Sequence, residues 1–387
     1  MNIKKENLCI LLVLVFHFSC SKKKDEEKTE NTNNISPISI KIELDKIQQA
    51  TFSTLFESIE YVFLESNDSV PLVGNMKTLI KNDFIYIEDN ELNNLHKFNL
   101  RGELKTIFKS TGDGPGQFRQ IEDFQIKGDT VLIYDRVLGK ILFFNLEGKF
   151  LRENLEKNGA TNFHVGNNFT LLFFSGYSNS DGNIFMRKSD NLIRESFFKL
   201  PEKSNQGGVR LLHGFVSNEK TKEVSITIPY TYQIATLDSL GYLKNLKKFD
   251  FLKIPQPNPG ETYYQPEKIN VYFPFHNFYW VSQFFNRKGY HFMVNENNEV
   301  EFSAKNLVND IDGINFFFYP ISKTENQLVF YSHSTFIYDL YQRSKNRITE
   351  KSPKTNIHEF IKKHDEELTD DRHVMIFLNF KNRLIDN

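Results

Sequence analysis

Asp83-Phe-Ile-Tyr-Ile-Glu-Asp-Asn-Glu-Leu-Asn-Asn-Leu-His-Lys-Phe-Asn-Leu-Arg-Gly-Glu-Leu104 reappears 46 residues later as Asp129-Thr-Val-Leu-Ile-Tyr-Asp-Arg-Val-Leu-Gly-Lys-Ile-Leu-Phe-Phe-Asn-Leu-Glu-Gly-Lys-Phe150, without a gap. Asp89 falls on Asp135, Phe98 on Phe144, Asn99 on Asn145 and Gly102 on Gly148. Each copy reads as strand, turn, strand, glycine turn, strand. Ile85 and Ile87, like Val131 and Ile133, alternate in the manner of half-buried strands. Asp89 and Asp135 close one strand at a turn. Gly102 and Gly148 stand where a hairpin needs positive φ.

Weaker copies extend the pattern. Residues 169–174 lead through Gly182 to 184–187. Residues 224–228 lead to 232–237, then Gly241 and a strand through Phe249. Residues 277–285 lead through Gly289 to 291–294, and residues 327–332 lead to a further predicted strand over 335–341. The count is six units of roughly 40–55 residues, the period of a four-stranded propeller blade. A sandwich has many short strands too, but it predicts no fixed self-match. The expected fold is therefore all-β, a six-bladed β-propeller over residues 37–387. Residues 58–64 and 373–380 are both strand-like, and one or both should complete a blade shared between the chain ends. One helix is expected just before the last strand. Asn356 and Glu359 form a capping-box pattern there, and Ile357, Phe360, Ile361, His364 and Leu368 share one face as a packing stripe.

The N-terminus carries a different signal. Lys4 and Lys5 precede an apolar run from Leu8 to Phe18, and Ser19-Cys20 is followed by Ser21-Lys22-Lys23-Lys24-Asp25-Glu26-Glu27. This is the pattern of a bacterial secretory signal over residues 1–19. Cys20 behind the cut resembles a lipobox, which implies cleavage before Cys20 and diacylation of its thiol; His17 and Phe18 depart from the usual residues. Two acyl chains suffice for stable anchoring, whereas the apolar run is too short to span a bilayer. Residues 20–36 read as a solvated tether. The acidic cluster Asp25-Glu26-Glu27 resembles the export signal of surface lipoproteins of the Bacteroidetes, with a plain linker as the alternative.

Composition narrows the chemistry. Cys9 lies inside the signal, so a mature chain would hold no cysteine but Cys20, which excludes a disulfide framework, a zinc–cysteine site and a cysteine nucleophile. Removing residues 1–19 takes away Lys4, Lys5 and Glu6 and leaves 46 basic and 48 acidic residues. Near-neutrality gives no electrostatic footprint for nucleic acid. The chain has 38 Phe and a single Trp, at position 280, and aromatic residues in short runs favour strands.

The chain also resembles the six-bladed β-propeller lipoproteins of the Bacteroidetes, which are related to NHL-repeat propellers. The resemblance rests on Cys20, on 55–66 (Leu-Phe-Glu-Ser-Ile-Glu-Tyr-Val-Phe-Leu-Glu-Ser), on the loop Gly112-Asp113-Gly114-Pro115-Gly116-Gln117-Phe118, on the repeat through Phe150, and on Asp371-Arg372-His373-Val374-Met375-Ile376-Phe377-Leu378. It departs at Arg372-His373, where the family often has Asn-Pro. It implies a fold and an outer-membrane address, periplasmic or surface-exposed, more than a reaction. In such a blade the Gly112–Phe118 loop joins an outer strand to the next inner strand. The loop lacks the Lys-Ser/Thr and the helix of a phosphate loop. It is expected on the same face as the turns between second and third strands. That face carries Asp113, Gln117, Arg119, Glu122, Arg136, Tyr230, Tyr232, Arg287 and His333, the candidate ligand-binding rim. Arg119 and Arg136 offer planar donors to carboxylate or sugar oxygens, or pair with neighbouring carboxylates.

No catalytic constellation emerges. The nine histidines after the signal show neither HxH nor HExxH spacing; His96, His213, His276 and His333 read as scaffold residues. There is no GxSxG elbow, and adjacent pairs such as Glu122-Asp123 and Asp370-Asp371 should point apart on a strand. No metal and no cofactor is expected. Tyr263 and Tyr264, in the proline-rich stretch 254–268, could stack on a sugar or peptide or pack on the fifth blade. The first functional expectation is a non-catalytic binding or scaffold propeller held to the membrane by its lipid, with an envelope protein or glycan as partner and no nucleic acid. The competing expectation is a glycan-active lyase or hydrolase with its site in the axial channel. Neither oligomeric state nor ligand identity is legible.

The anchoring expectation has a direct test. Cys20→Ala should leave an unlipidated precursor or a soluble form in a cell-fractionation experiment. Membrane partitioning of the mutant, together with an acyl-free mature wild type by mass spectrometry, would remove it.

Overall fold

In a computed structural model the described residues are 35–66, 69–74, 77–109, 111–174, 183–199, 211, 213–256, 267–315, 319–344 and 354–385. Cys20, the signal, residues 20–34 of the tether, Gly182, Tyr263 and Tyr264 lie outside them.

Six antiparallel sheets surround one axis. The first blade is Lys77–Lys81, Phe84–Asp89, Asn94–Asn99 and Leu104–Phe108, counted outward; the second is Asp123–Lys127, Thr130–Asp135, Lys140–Asn145 and Phe150–Leu155. Blades three, four and five begin at Asn162–Val165, Phe215–Ser217 and Val271–Pro274. Blade six takes Ser322–Lys323, Gln327–His333 and His373–Phe380 from the C-terminal part of the chain and its outer strand, Phe56–Phe63, from the N-terminal part. Both chain ends thus close the ring, in a register running from Val374 opposite Phe63 to Phe380 opposite Phe56.

The repeat is chemically as well as geometrically periodic. Asp89, fully buried, accepts the backbone N–H groups of Val73, Gly74, Glu91 and Leu92 at 2.8–3.2 Å. Asp135 accepts those of Arg119 (2.6 Å), Gln120 (3.3 Å) and Leu138 (2.9 Å). Each carboxylate ties the segment entering its blade to the turn between the second and third strands. The opposite turns repeat too. Asn99, Asn145, Asp238 and Asn295 each accept backbone N–H groups within the following four residues. Gly102, Gly148 and Gly241 close these turns at φ of 82°, 85° and 82°, and Asn298 takes that place at 67°. A side chain at Gly102 would meet the Phe63 carbonyl.

Several expectations require correction. Ile85, Ile87, Val131 and Ile133 are buried as expected, but so are the intervening Tyr86 and Leu132, because a neighbouring blade covers each face of a second strand. In blade five the turn falls at Asn286-Arg287, both at positive φ, and Gly289 lies inside the strand Lys288–Asn295. The segment expected as a strand over 335–341 is the helix Ser334–Ser344. Its place beside Gln327–His333 is taken by His373–Phe380, and Ile337 instead buries against the blade-six core with Tyr338, Leu340 and Tyr341 around it. The helix expected before the last strand is present as Ile357–His364. Its stripe packs as predicted: Ile357, Phe360, Ile361 and Leu368 are buried, and His364 stacks on Phe63 at 4.6 Å. Asn356, however, makes no side-chain cap. Its Oδ1 accepts from Tyr61 N (2.8 Å) and its Nδ2 donates to Tyr61 O (3.0 Å), clamping the helix to the outer strand of blade six. A fifth strand, Ile38–Glu43, was not anticipated; it runs parallel to Leu243–Leu252 and covers the outer edge of blade four.

Two substitutions test these contacts by urea unfolding. Asp135→Ala strands buried N–H groups and should cost about 3 kcal/mol; a loss below ~0.5 kcal/mol would contradict the role given to this carboxylate. Asn356→Asp keeps a good capping residue but loses the donor to Tyr61 O. It should destabilise by about 1–2 kcal/mol, whereas a cap would tolerate it.

Candidate functional site

Connections between blades, and turns between second and third strands, share one face of the ring, here the crossover face. Turns between first and second strands, and between third and fourth, share the other, the hairpin face. The nine predicted rim residues all belong to the crossover side, but they do not form one cluster. Asp113, Gln117, Arg119, Glu122 and Arg136 gather at the second blade. Tyr230 and Tyr232 flank the blade-four turn, Arg287 is in the blade-five turn and His333 ends a strand of blade six.

The polar groups at the second blade satisfy one another. Arg119 grips Asp113 through Nε and Nη2; this hydrogen-bonded pair lowers the Asp113 carboxyl and raises the guanidinium. Arg136 Nε donates to Glu122 Oε2 at 3.0 Å. Gln117 Oε1 accepts Gly114 N (3.0 Å) and so folds its own loop, while Phe118 is buried beneath it. Glu122 and Asp123 do point to different partners, Arg136 and Lys77. Tyr232 packs edge-on against Phe251 and Phe285, and burial pushes its hydroxyl up to about 12. His333 Nδ1 lies 3.1 Å from Asp371. Arg287 borders a pocket of about 90 Å³ beside Trp280.

A larger cavity, about 600 Å³, lies elsewhere, in the axial channel where the competing enzyme expectation placed its site. The innermost strand of every blade lines it: Lys77–Lys81 of blade one, Phe124 and Gln125 of blade two, Phe163 and His164 of blade three, Phe215–Ser217 of blade four, Phe273 of blade five and Ser322–Lys323 of blade six. It is therefore axial. Asn82, Asp83, Glu219 and Glu325, from first-to-second-strand turns, rim it, so it opens on the hairpin face. A second cavity of about 320 Å³ lies toward the crossover side, with Asn270, Tyr319 and Tyr331 in its wall. His213, Val216 and Ile321 line both and divide them.

The axial wall combines aromatic faces with hydrogen-bond donors. Lys77 Nζ donates to Asp123 Oδ1 and to the Phe124 carbonyl, both at 2.7 Å. Asp123 Oδ2 in turn accepts Phe163 N (3.0 Å), so one carboxylate joins the inner strands of three blades. Gln125 bridges blades two and three, accepting Val165 N (2.8 Å) and donating to His164 Nδ1 (3.2 Å), which leaves the proton of neutral His164 on Nε2. Burial, with Lys127 and Lys77 adding to it, lowers His164 to about 3. Burial and Lys77 lower His213 to about 4; its ring meets Phe273 edge-on at 4.8 Å. Lys81 pairs with Glu219. Lys323 makes no ion pair among the described residues; its Nζ sits 4.8 Å from the Phe275 ring centroid, and burial lowers it to about 8. Among the described residues no three His, Cys, Asp or Glu side chains converge to hold a metal.

The Ser282 hydroxyl meets His291 Nδ1 at 3.0 Å, but Ser282 is fully buried and also accepts from Trp280 Nε1, while His291 borders the small pocket beside Trp280. This is a core network of blade five.

Solved structures share this architecture. A Bacteroides fragilis protein described as exported aligns over 89% of this chain and 100% of its own, at 16% identity and a TM-score of 0.65. A member of the DUF4221 family from Bacteroides vulgatus aligns over 84% of this chain and 97% of its own, at 10% identity and a TM-score of 0.49. The first likeness supports the fold. No curated protein matches the chain. The model of a domain of unknown function, DUF4934, matches residues 36–377, nearly the whole propeller, and the chain belongs to that family.

Proposed function

We propose that this protein is an envelope lipoprotein, exported by residues 1–19 and anchored through Cys20, that binds a small ligand in the axial cavity without transforming it. One observation carries the binding reading: all six blades contribute to a single cavity of about 600 Å³, within the range of about 300–1,000 Å³ usual for small-ligand sites. Its wall mixes flat apolar faces with a few fixed polar groups, the composition such sites require.

The protonation states favour binding over acid–base chemistry. A general base works best with a pKa near the operating pH, and His164 and His213 are held far below it. Asp83, Glu219 and Glu325 stand at the mouth, where Glu219 is occupied by Lys81. The enzyme reading draws on Lys323 alone, whose pKa of about 8 would suit a base. The rim residues Arg119, Glu122 and Arg136 remain the competing binding face, but their pairing with one another and with Asp113 weakens the case for a ligand there.

A comparison of two variants separates the two faces. Ser217→Trp fills the axial cavity; Arg119, Glu122 and Arg136 replaced together by Ala strip the crossover rim. Each protein is purified from its native envelope, unfolded, and its released small molecules are identified by mass spectrometry. The ligand should be lost from the cavity-filled variant and retained by the rim variant, with both melting cooperatively. The opposite pattern would place the site on the crossover face. Turnover of the released compound by wild type would show that the protein is an enzyme.

A further inference from the structure

We propose that the axial cavity takes an acidic sugar: a pyranose ring lying on an aromatic wall, with its carboxylate directed to Lys323. This deepens the binding reading of the same cavity and rests on it.

The first argument is the balance of hydrogen-bonding groups. Donors stand available in the cavity wall. Lys323 Nζ has the Phe275 ring beside it and makes no ion pair among the described residues. His164 carries its proton on Nε2 because Nδ1 is engaged by Gln125. Lys77 uses its ammonium on one carboxylate and one carbonyl, leaving a third N–H. The carboxylates that line the cavity, Asp83, Glu219 and Glu325, all belong to the turns at its mouth. A ligand carrying negative charge complements Lys323, which has no ion-pair partner among the described residues; a cationic one would face that ammonium directly.

The second argument is shape. Phe124, Phe163, Phe215 and Phe273 come from four successive blades and give the wall flat apolar surface. A pyranose has one face of C–H groups that lies against such a surface and an edge of hydroxyls that needs polar partners. Ser217, Ser322 and Thr324 line the same cavity and supply that chemistry. An inorganic anion would use the lysine and leave the aromatic wall unmatched. A purely apolar ligand would leave the lysine desolvated and unpaired, at a cost.

The charge on Lys323 makes the interaction pH-dependent. Burial lowers this ammonium to about 8; Glu219 and Glu325 favour its charged form and Lys81 opposes it. A bound carboxylate favours the charged form, so affinity is greatest below that pKa and falls as pH rises through it. His164 and His213 stay neutral across this range, so they do not contribute to the change.

The test is titration calorimetry of the wild-type protein with D-glucuronate and D-galacturonate, against D-glucose and D-galactose, at pH 6.5 and 9.5. At least one uronate should bind at pH 6.5 at least tenfold more tightly than its uncharged counterpart, and should weaken severalfold at pH 9.5. Lys323→Met should abolish the preference for the acid, and Lys323→Arg should keep it; thermal melting of both variants establishes that they fold. Equal binding of acid and neutral sugar would overturn the acidic-ligand inference while leaving the cavity a binding site. Binding of none of the four sugars would overturn the sugar inference, and the cavity-filling experiment above then decides the binding reading separately. A preference for the uronate that survives Lys323→Met would also overturn the role assigned to this lysine.

Discussion

The structure depends on the pairing of Phe56–Phe63 with His373–Phe380. A ring of blades has no interior until it closes, and this is where two distant parts of the chain meet. The pairing is reinforced on both sides. Asn356 clamps the backbone of Tyr61, and His364 stacks on Phe63. At the neighbouring seam with blade one, His373 donates from Nε2 to the Leu72 carbonyl and takes the Tyr331 hydroxyl at Nδ1. Phe380, at the end of the closing strand, is packed among Phe56, Phe275, Phe278 and Trp280, so closure is continuous with the core between blades five and six. The axial cavity exists because these contacts bring the inner strands of blades one and six together.

Between blades, apolar faces provide adhesion and a few buried polar groups fix register. Phe108, Phe118, Phe144 and Phe150 interlock at the junction of blades one and two. Asp89 and Asp135 set how each incoming segment meets its blade. Nearer the axis, Asp123 links Lys77 of the preceding blade to the backbone of Phe163 in the next. A carboxylate buried this deeply is tolerable because its oxygens are occupied by charged or N–H donors. Of the lysines lining the axis, Lys77 and Lys81 are paired with Asp123 and Glu219, and Lys323, with no ion pair among the described residues, is the source of the ligand chemistry proposed for the cavity.

The 46-residue offset made the fold legible, because blade repetition leaves the same residues at the same turns: Asp89 and Asp135, Gly102 and Gly148. Ring closure was legible because 58–64 and 373–380 read as strands with no partner in any local unit. The sixth unit misled. Thr335-Phe-Ile-Tyr-Asp-Leu-Tyr341 has strand-like residues, yet the sheet position it would occupy is filled by a strand 38 residues further on, so tertiary competition overrode local preference. Asn356 misled differently: its spacing to Glu359 fits a cap, but its amide found a backbone partner in another part of the chain. The candidate site was the least legible. Arg119 and Arg136 stand out in a linear reading because they are charged and near glycines, whereas the cavity wall is assembled from six inner strands far apart in the sequence. Lys323 belongs to a two-residue strand, Ser322–Lys323, with no sequence pattern of its own.

The central claim is that the ring encloses a ligand site at its axis, open to the hairpin face. It is tested most directly by a crystal structure of the protein purified from its native envelope with its ligand retained. The account predicts ligand density against Phe124, Phe163, Phe215 and Phe273, with an anionic group within hydrogen-bonding distance of Lys323. Density instead against Arg119 and Arg136, with the axial cavity holding only water, would contradict it.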